Sequence, residues 1–191
     1  MGYGDLYQYC QSLTPVISRN NIRDKALEIA KIDKLKVGCT TLDESICRGF
    51  YLSAKNTDHA FVKQNGCHLI VLSRTLPNRC WQRFVFVKEL MHVFDDPLKS
   101  TGSGEIFDKL LSDLSLPGVL EPSAQWRSEI DGIWMALAVL CPENYRQEFE
   151  KQRAAGHLDD YAIALQLRIP KKYVPLLFNP IFPIKIKALL K

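Results

Sequence analysis

The chain has 191 residues, and its 25 basic and 21 acidic side chains leave a formal charge of only +4 at pH 7. This length fits one domain with short appendages and allows a sizeable buried core. No apolar run is long enough to span a membrane, and no apolar signal core occurs near Met1. We therefore expect a cytoplasmic protein with no membrane contact. So small a charge does not indicate a nucleic-acid-binding protein by itself.

The six cysteines are scattered along the chain without a CxxC pair or any other zinc-binding spacing. Thiols of this kind are usually small buried side chains that stay reduced in the cytoplasm. We therefore predict neither a disulfide framework nor a cysteine-based metal site.

The first part of the chain predicts one helix followed by a small sheet. Charged residues alternate with apolar ones at helical spacing over residues 21–35, which favours an amphipathic helix. Residues 37–72 have a different pattern, with glycines and short β-prone runs at 50–52 and 60–62. Residues 68–72 form the clearest strand and follow an Asn-Gly turn signal. We predict a small, mainly antiparallel sheet here.

A central buried helix is predicted at about residues 77–95. Thr75 or Asn78 can cap it, and Pro97 ends it. Apolar side chains cover most of its circumference, so it should lie inside the protein. Polar side chains on such a helix need partners, because an unpaired buried charge is very costly.

Three more helices are predicted in the second half of the chain, at about 105–116, 124–141 and 158–167. The second of these is strongly apolar, carries its acids in its N-terminal half and is ended by Pro142. The tail at 184–187 alternates Ile and Lys, which fits either an edge strand or a short amphipathic helix.

Three polar residues of the central helix form a recognisable pattern. Lys88 and His92 are four residues apart, so they lie on one helix face, and Glu89 is beside them. The zinc-protease motif HExxH has this layout: two His hold Zn²⁺ and the Glu takes a proton from the metal-bound water. Lys88 stands at the position of the first His, and an ammonium has no lone pair for a metal.

Two sequence signatures together resemble the ImmA/IrrE family of metallopeptidase-like domains. The first is a strand, an Arg-Phe pair and the altered motif, found here at 68–72, 83–84 and 88–92. The second is an acid and a small residue, an apolar-Ala pair, two apolar residues and a Pro. It is matched by Asp131-Gly132, Met135-Ala136, Val139-Leu140 and Cys141-Pro142.

The resemblance implies an α+β fold, namely a zincin-like helical domain with a small antiparallel sheet. The domain would span residues 21–175 and end in a helix-turn-helix-like segment from about 158. Residues 1–20 would be an N-terminal arm and residues 176–191 a C-terminal tail. Members of this family are zinc peptidases, often encoded in mobile elements such as phages beside a DNA-binding repressor that the peptidase cleaves.

The resemblance also implies roles for individual residues. Glu89 would be the general base, His92 a metal ligand, and Asp131 the third ligand, where the family usually carries Glu. Lys88 departs from the pattern. Glu129 and Asp96 are secondary candidates, and Asp96 lies one helical turn after His92.

Three interpretations of Lys88 follow. Its ammonium could pair with Glu89, Glu129 or Asp131 and replace the metal, leaving an inactive peptidase without a cofactor. A zinc ion could instead be retained through His92, Asp131 and another donor such as Asp96, giving an active zinc-dependent endopeptidase. In the third interpretation these residues are ordinary polar positions on a buried helix.

We expect the first interpretation, a pseudoenzyme that acts by binding another protein such as a transcriptional regulator. Two other functions stay open, the active zinc peptidase and a nucleic-acid-associated regulator. Lys171 and Lys172 form only a small basic cluster, so direct nucleic-acid binding is not expected.

Overall fold

The computed structural model describes residues 2–56, 58–96, 110 and 123–191. Its strands are β1 (Leu35–Thr40), β2 (Gly49–Leu52) and β3 (His68–Ser73). Its helices are α1 (Tyr3–Gln11), α2 (Arg19–Ala30), α3 (Ala60–Asn65), α4 (Arg79–Met91), α5 (Ala124–Leu140), α6 (Glu143–Ala154), α7 (Asp160–Leu167), α8 (Val174–Leu177) and α9 (Ile181–Leu189), with short 3₁₀ turns at His92–Phe94 and Lys171–Tyr173. The predicted α+β class is confirmed.

The sheet is mixed, with strand order β1-β3-β2. β3 pairs antiparallel with β2, as predicted, but parallel with β1, where Leu35 lies opposite His68. The prediction of an antiparallel sheet is therefore wrong for one of the two pairings. Parallel neighbours need a crossover of about a dozen residues or more, and residues 41–67 provide it.

One predicted strand is a helix. Residues 60–62 begin α3, and Gly66 ends that helix in a left-handed conformation, with φ of 56°. The Gly66 backbone N–H donates to the Val62 carbonyl at 2.8 Å. The Asn-Gly signal at 65–66 therefore closes a helix instead of joining two strands, because glycine suits a helix C-cap as well as a hairpin turn.

The predicted central helix is confirmed as α4 with the 3₁₀ turn that follows it. The Asn78 side chain caps its start by accepting from the N–H groups of Cys80 and Trp81 at 2.9 and 3.2 Å. α4 packs on β2, β3, α2 and α5. Its Phe84 and Leu90 side chains are fully buried, and burying each contributes roughly 2–3 kcal/mol.

The second apolar helix is confirmed as α5. The Ser123 hydroxyl caps it by accepting from the Trp126 N–H at 3.1 Å, and Pro142 follows its end. The predicted helix at 105–116 lies outside the described residues, apart from Leu110. The helix predicted at 158–167 is confirmed as α7.

Both ends of the chain contribute to the main core. Leu6 and Cys10 of α1 are fully buried, and the Tyr3 hydroxyl donates to the Met135 carbonyl at 3.2 Å. In the tail, residues 184–187 are helical, and Ile186 is buried in the same core. In the described part of the chain, no helix has the length and apolar character needed to cross a membrane.

Candidate functional site

A cluster of buried charged side chains lies where α4 faces α5. Lys88 and Glu89 come from the last turn of α4, His92 from the following 3₁₀ turn, and Glu129 from the second turn of α5. Glu89 is fully buried, and the side chains of Lys88, His92 and Glu129 are 13%, 8% and 15% exposed. Charges this deeply buried must be balanced within the cluster.

Lys88 bridges the two carboxylates. Its Nζ atom lies 2.8 Å from Glu89 Oε1, and it donates a hydrogen bond to Glu129 Oε2. Burial by itself lowers the pKa of Lys88, but the negative charges of Glu129 and Glu89 outweigh it and raise that pKa above its ordinary value. Lys88 is therefore a buried ammonium ion at neutral pH.

His92 is held from both sides. Its Nδ1 atom lies 2.7 Å from Asp95 Oδ2, and its Nε2 atom lies 3.3 Å from Glu129 Oε1, close but without hydrogen-bond geometry. The Ser128 hydroxyl donates to Asp95, at 2.7 Å from Oδ2. Burial lowers the pKa of His92, but Glu129 and Asp95 outweigh it and raise that pKa to about 10. The imidazole therefore carries a positive charge at neutral pH.

The pKa values of Glu89 and Glu129 are shifted in opposite directions. Burial raises the pKa of Glu89, and Lys88 offsets this only in part. Burial acts on Glu129 too, but the charges of Lys88 and His92 outweigh it and lower the pKa of Glu129. Lys88 and His92 are therefore the cations that face the acidic side chains of Glu89, Glu129 and Asp95 in this cluster.

The cluster holds donor atoms of the kinds that zinc prefers. Ligand atoms of Glu89, His92 and Glu129 lie within 4.8 Å of one another, and in the described part of the chain they are the group that could hold a metal ion. Glu89 Oε2 and His92 Nε2 are also buried without a hydrogen-bond partner in that part.

As arranged, however, these residues do not fit a metal ion. The Lys88 ammonium is paired with both carboxylates that would be ligands, and the raised pKa of His92 keeps a proton on the imidazole. A ligand must offer a lone pair, so metal binding would require His92 to lose a proton and Lys88 to leave its partners.

Most of the predicted site residues meet here, but the acid from α5 is a different one. Glu129, a secondary candidate in the sequence, contacts Lys88 and His92, whereas Asp131 is not part of the metal-capable group. Residues two apart on a helix point in directions roughly 200° apart, and Glu129 is the acid whose carboxylate lies against Lys88 and His92. Asp96 is exposed and does not belong to this group either.

Sequence reasoning missed four contacts that shape the site. Asp95, not Asp96, orients His92, because the 3₁₀ turn brings residues three apart together. Ser128 holds Asp95. The Tyr51 ring stacks on His92 at 6.2 Å between centroids, and its hydroxyl pairs with His68 Nδ1 at 2.5 Å. Of these contacts, only the one between His92 and Asp95 could have been predicted, because the two residues are three apart in the sequence.

The small basic cluster packs partly on the protein itself. The Lys172 ammonium lies 4.7 Å from the centroids of both the Trp81 and the Tyr173 ring. Burial, and then the charge of Arg48, lower its pKa. These contacts do not favour Lys172 as a phosphate contact for nucleic acid.

No family model, curated protein or solved structure matches the chain. The family assignment therefore stays a prediction. The function has to be inferred from the residues of the site.

Gly132 lies on α5 where this helix faces Lys88 and His92, and its substitution gives a first testable prediction. A Cβ atom there would lie 3.6 Å from Lys88 Cγ and 3.8 Å from His92 Nε2, which are ordinary contact distances. Because alanine favours a helix interior over glycine, we expect Gly132→Ala to raise the free energy of unfolding by about 0.5–1 kcal/mol. Urea titration measures this change.

A matched glycine in the sheet should respond in the opposite way. A Cβ atom at Gly49 would lie 2.7 Å from Val85 Cγ1 and 2.8 Å from the Val71 carbonyl oxygen. We expect Gly49→Ala to lower the free energy of unfolding by about 1–3 kcal/mol. A destabilised Gly132→Ala variant would show that α4 and α5 lie closer together than described.

Proposed function

We propose that this chain is an inactive metallopeptidase-like protein of the ImmA/IrrE type, in which the Lys88 ammonium takes the place of the catalytic metal. In this proposal the protein acts by binding another protein instead of cleaving it. The observation that carries the proposal is the pairing of Lys88 with both Glu89 and Glu129 inside the charged cluster.

The chemistry of the cluster supports a site without hydrolytic activity. A metal ion activates water by accepting one of its electron pairs, which lowers the pKa of that water. An ammonium has no vacant orbital with which to do so, and Lys88 is already paired with two carboxylates. Glu89, the expected general base, is paired with this ammonium and therefore has no metal-bound water from which to take a proton.

Exposed apolar side chains support a contact with another protein. Tyr161 and Leu165 are four residues apart on α7, so they share one face, and they are 56% and 55% exposed. Ile184 of α9 is 67% exposed. Exposed apolar side chains that share a face can mark an interaction surface. The resemblance favours a DNA-binding repressor as the partner.

An active zinc endopeptidase is the second candidate. The observation that favours it is the convergence of ligand atoms from Glu89, His92 and Glu129 within 4.8 Å. This function requires conditions under which zinc displaces the Lys88 ammonium and the proton of His92.

Metal analysis separates the two candidates. We expect the chain, purified without chelator, to contain far less than one zinc ion per molecule. Lys88→His supplies a second imidazole at the missing ligand position, so this variant should take up about one zinc ion. Elemental analysis after dialysis against zinc and then metal-free buffer measures both values.

A double variant provides the control. Lys88→His combined with Glu129→Gln keeps the new imidazole but removes a carboxylate ligand, so the zinc should be lost again. Near-stoichiometric zinc in the parent chain would contradict the proposal and favour the peptidase. A folded Lys88→His variant that stays free of zinc would show that the remaining ligands are not arranged for a metal.

A further inference from the structure

The molecule also has an arginine-lined cavity at the beginning of α4. A ligand bound there would be additional to the function proposed for the charged cluster. The volume of the cavity is about 640 Å³. Among the residues that the structure describes, its lining contains no aspartate or glutamate and consists of Arg19, Arg79, Cys80, Gln82, Arg83 and Arg168. These four arginines come from α2, α4 and the end of α7, so the tertiary fold, not a local run of charge, brings them together.

Arg83 is the fixed member of the arginine-lined cavity. Its side chain is buried, and it donates to the carbonyl of Leu167 at 3.1 Å and to that of Ile17 at 2.5 Å. It has no carboxylate partner in the described part of the chain. Buried charges are normally paired with an opposite charge, and the two carbonyl groups give Arg83 hydrogen bonds but no negative charge, so an anion in the cavity would be favoured.

The other three arginines are exposed, and they add to the excess of positive charge around the cavity. Arg79 and Arg168 form no ion pair with any residue that the structure describes, and the Arg19 guanidinium lies 5.3 Å above the Phe86 ring. Arg168 is held at the left-handed C-cap of α7, with φ of 53°. Burial, and then the charge of Arg168, lower the pKa of Arg83 to about 10, so the Arg83 guanidinium remains a cation at neutral pH.

We propose that this cavity binds an oxyanion, and that its natural ligand is the phosphate group of a small phosphorylated molecule. Guanidinium groups pair with phosphate through two parallel N–H···O bonds, and a phosphate dianion matches several cations better than a singly charged carboxylate does. The volume lies in the range of small-molecule sites. A polymer backbone would instead need an extended basic groove, so the concave shape favours a small ligand.

Calorimetric titration of the full chain tests this proposal. The probes are inorganic phosphate, pyrophosphate and adenosine 5′-monophosphate, with acetate and adenosine as controls, at constant ionic strength. We expect the three phosphate compounds to bind and the two controls not to bind. Binding of inorganic phosphate alone would identify free phosphate as the ligand, whereas tighter binding of the nucleotide would identify a phosphate monoester.

Paired variants locate the binding. Arg79→Gln combined with Arg168→Gln should weaken phosphate binding by about tenfold or more, because charged hydrogen bonds are lost. The control Lys63→Gln with Lys187→Gln removes the same charge from exposed positions outside the cavity and should leave binding unchanged. Circular dichroism confirms that both double variants are folded. Arg83 is left intact, since its bonds to backbone carbonyls also support the fold.

Three results would overturn the proposal. These are the absence of binding by all three phosphate compounds, equal weakening by the two double variants, and acetate binding as tight as that of phosphate. Binding of an oligonucleotide or a phosphopeptide without binding of small phosphates would also overturn it, and would assign the cavity to a macromolecular partner.

Discussion

Lys88→Met is expected to lower the free energy of unfolding at pH 7 by about 3–5 kcal/mol. Methionine keeps much of the length of the side chain but removes the charge. Glu89 and Glu129 then lose the cation that pairs with both of them, and leaving one partner of a buried ion pair uncompensated is strongly destabilising. Urea titration followed by circular dichroism measures the loss.

Two further variants show whether this loss comes from charge. Lys63→Met makes the same change on the exposed surface of α3 and should alter stability by no more than about 0.5 kcal/mol. Adding Glu129→Leu to Lys88→Met removes a carboxylate together with its cation. The double variant should therefore be about 1–3 kcal/mol more stable than the sum of the two single effects predicts. If Lys88→Met were as stable as the parent, the ammonium would not be the counter-ion of the cluster.

Stability should also decrease as the pH rises from about 6.5 to 10. The pKa of His92 is raised to about 10 in the folded chain, whereas an unfolded His titrates near 6.5. The folded state therefore holds a proton that the unfolded state releases in this window. The stabilisation is complete below pH 6.5 and is lost as the pH approaches 10. The expected loss is of the order of a few kcal/mol.

His92→Gln should flatten this part of the pH profile, because glutamine does not titrate. His157→Gln changes an exposed His and should leave the slope as it is in the parent. Urea titrations at pH 6, 8 and 9.5 provide the comparison, and a parent profile that is flat over this range would contradict a protonated His92.

Local patterns were sufficient to predict the helices that carry the site. The apolar residues of α4 and α5, the Asn78 cap and the following prolines are all local signals, and the structure confirms both helices. The helical spacing also placed Lys88 and His92 on one face, with Glu89 beside them. Interactions between neighbouring turns are encoded directly in the helical period.

Tertiary choices were not predictable in this way. Whether Glu129 or Asp131 faces α4 depends on how α5 rotates as it packs, and the motif resemblance pointed to Asp131. The direction of β1 relative to β3 is likewise set by the path of the crossover and not by the strand residues. Residues 60–62 form a short apolar run, which periodicity alone cannot assign to a strand or a helix.

The bridging position of Lys88 has a consequence for how the molecule depends on its surroundings. A diffusible ion occupies its site according to its concentration and its dissociation constant, and apo and loaded forms coexist. The Lys88 ammonium is part of every polypeptide chain, so each molecule contains one. Glu89 and Glu129 therefore have their cation as soon as α4 and α5 meet, whatever the supply of zinc.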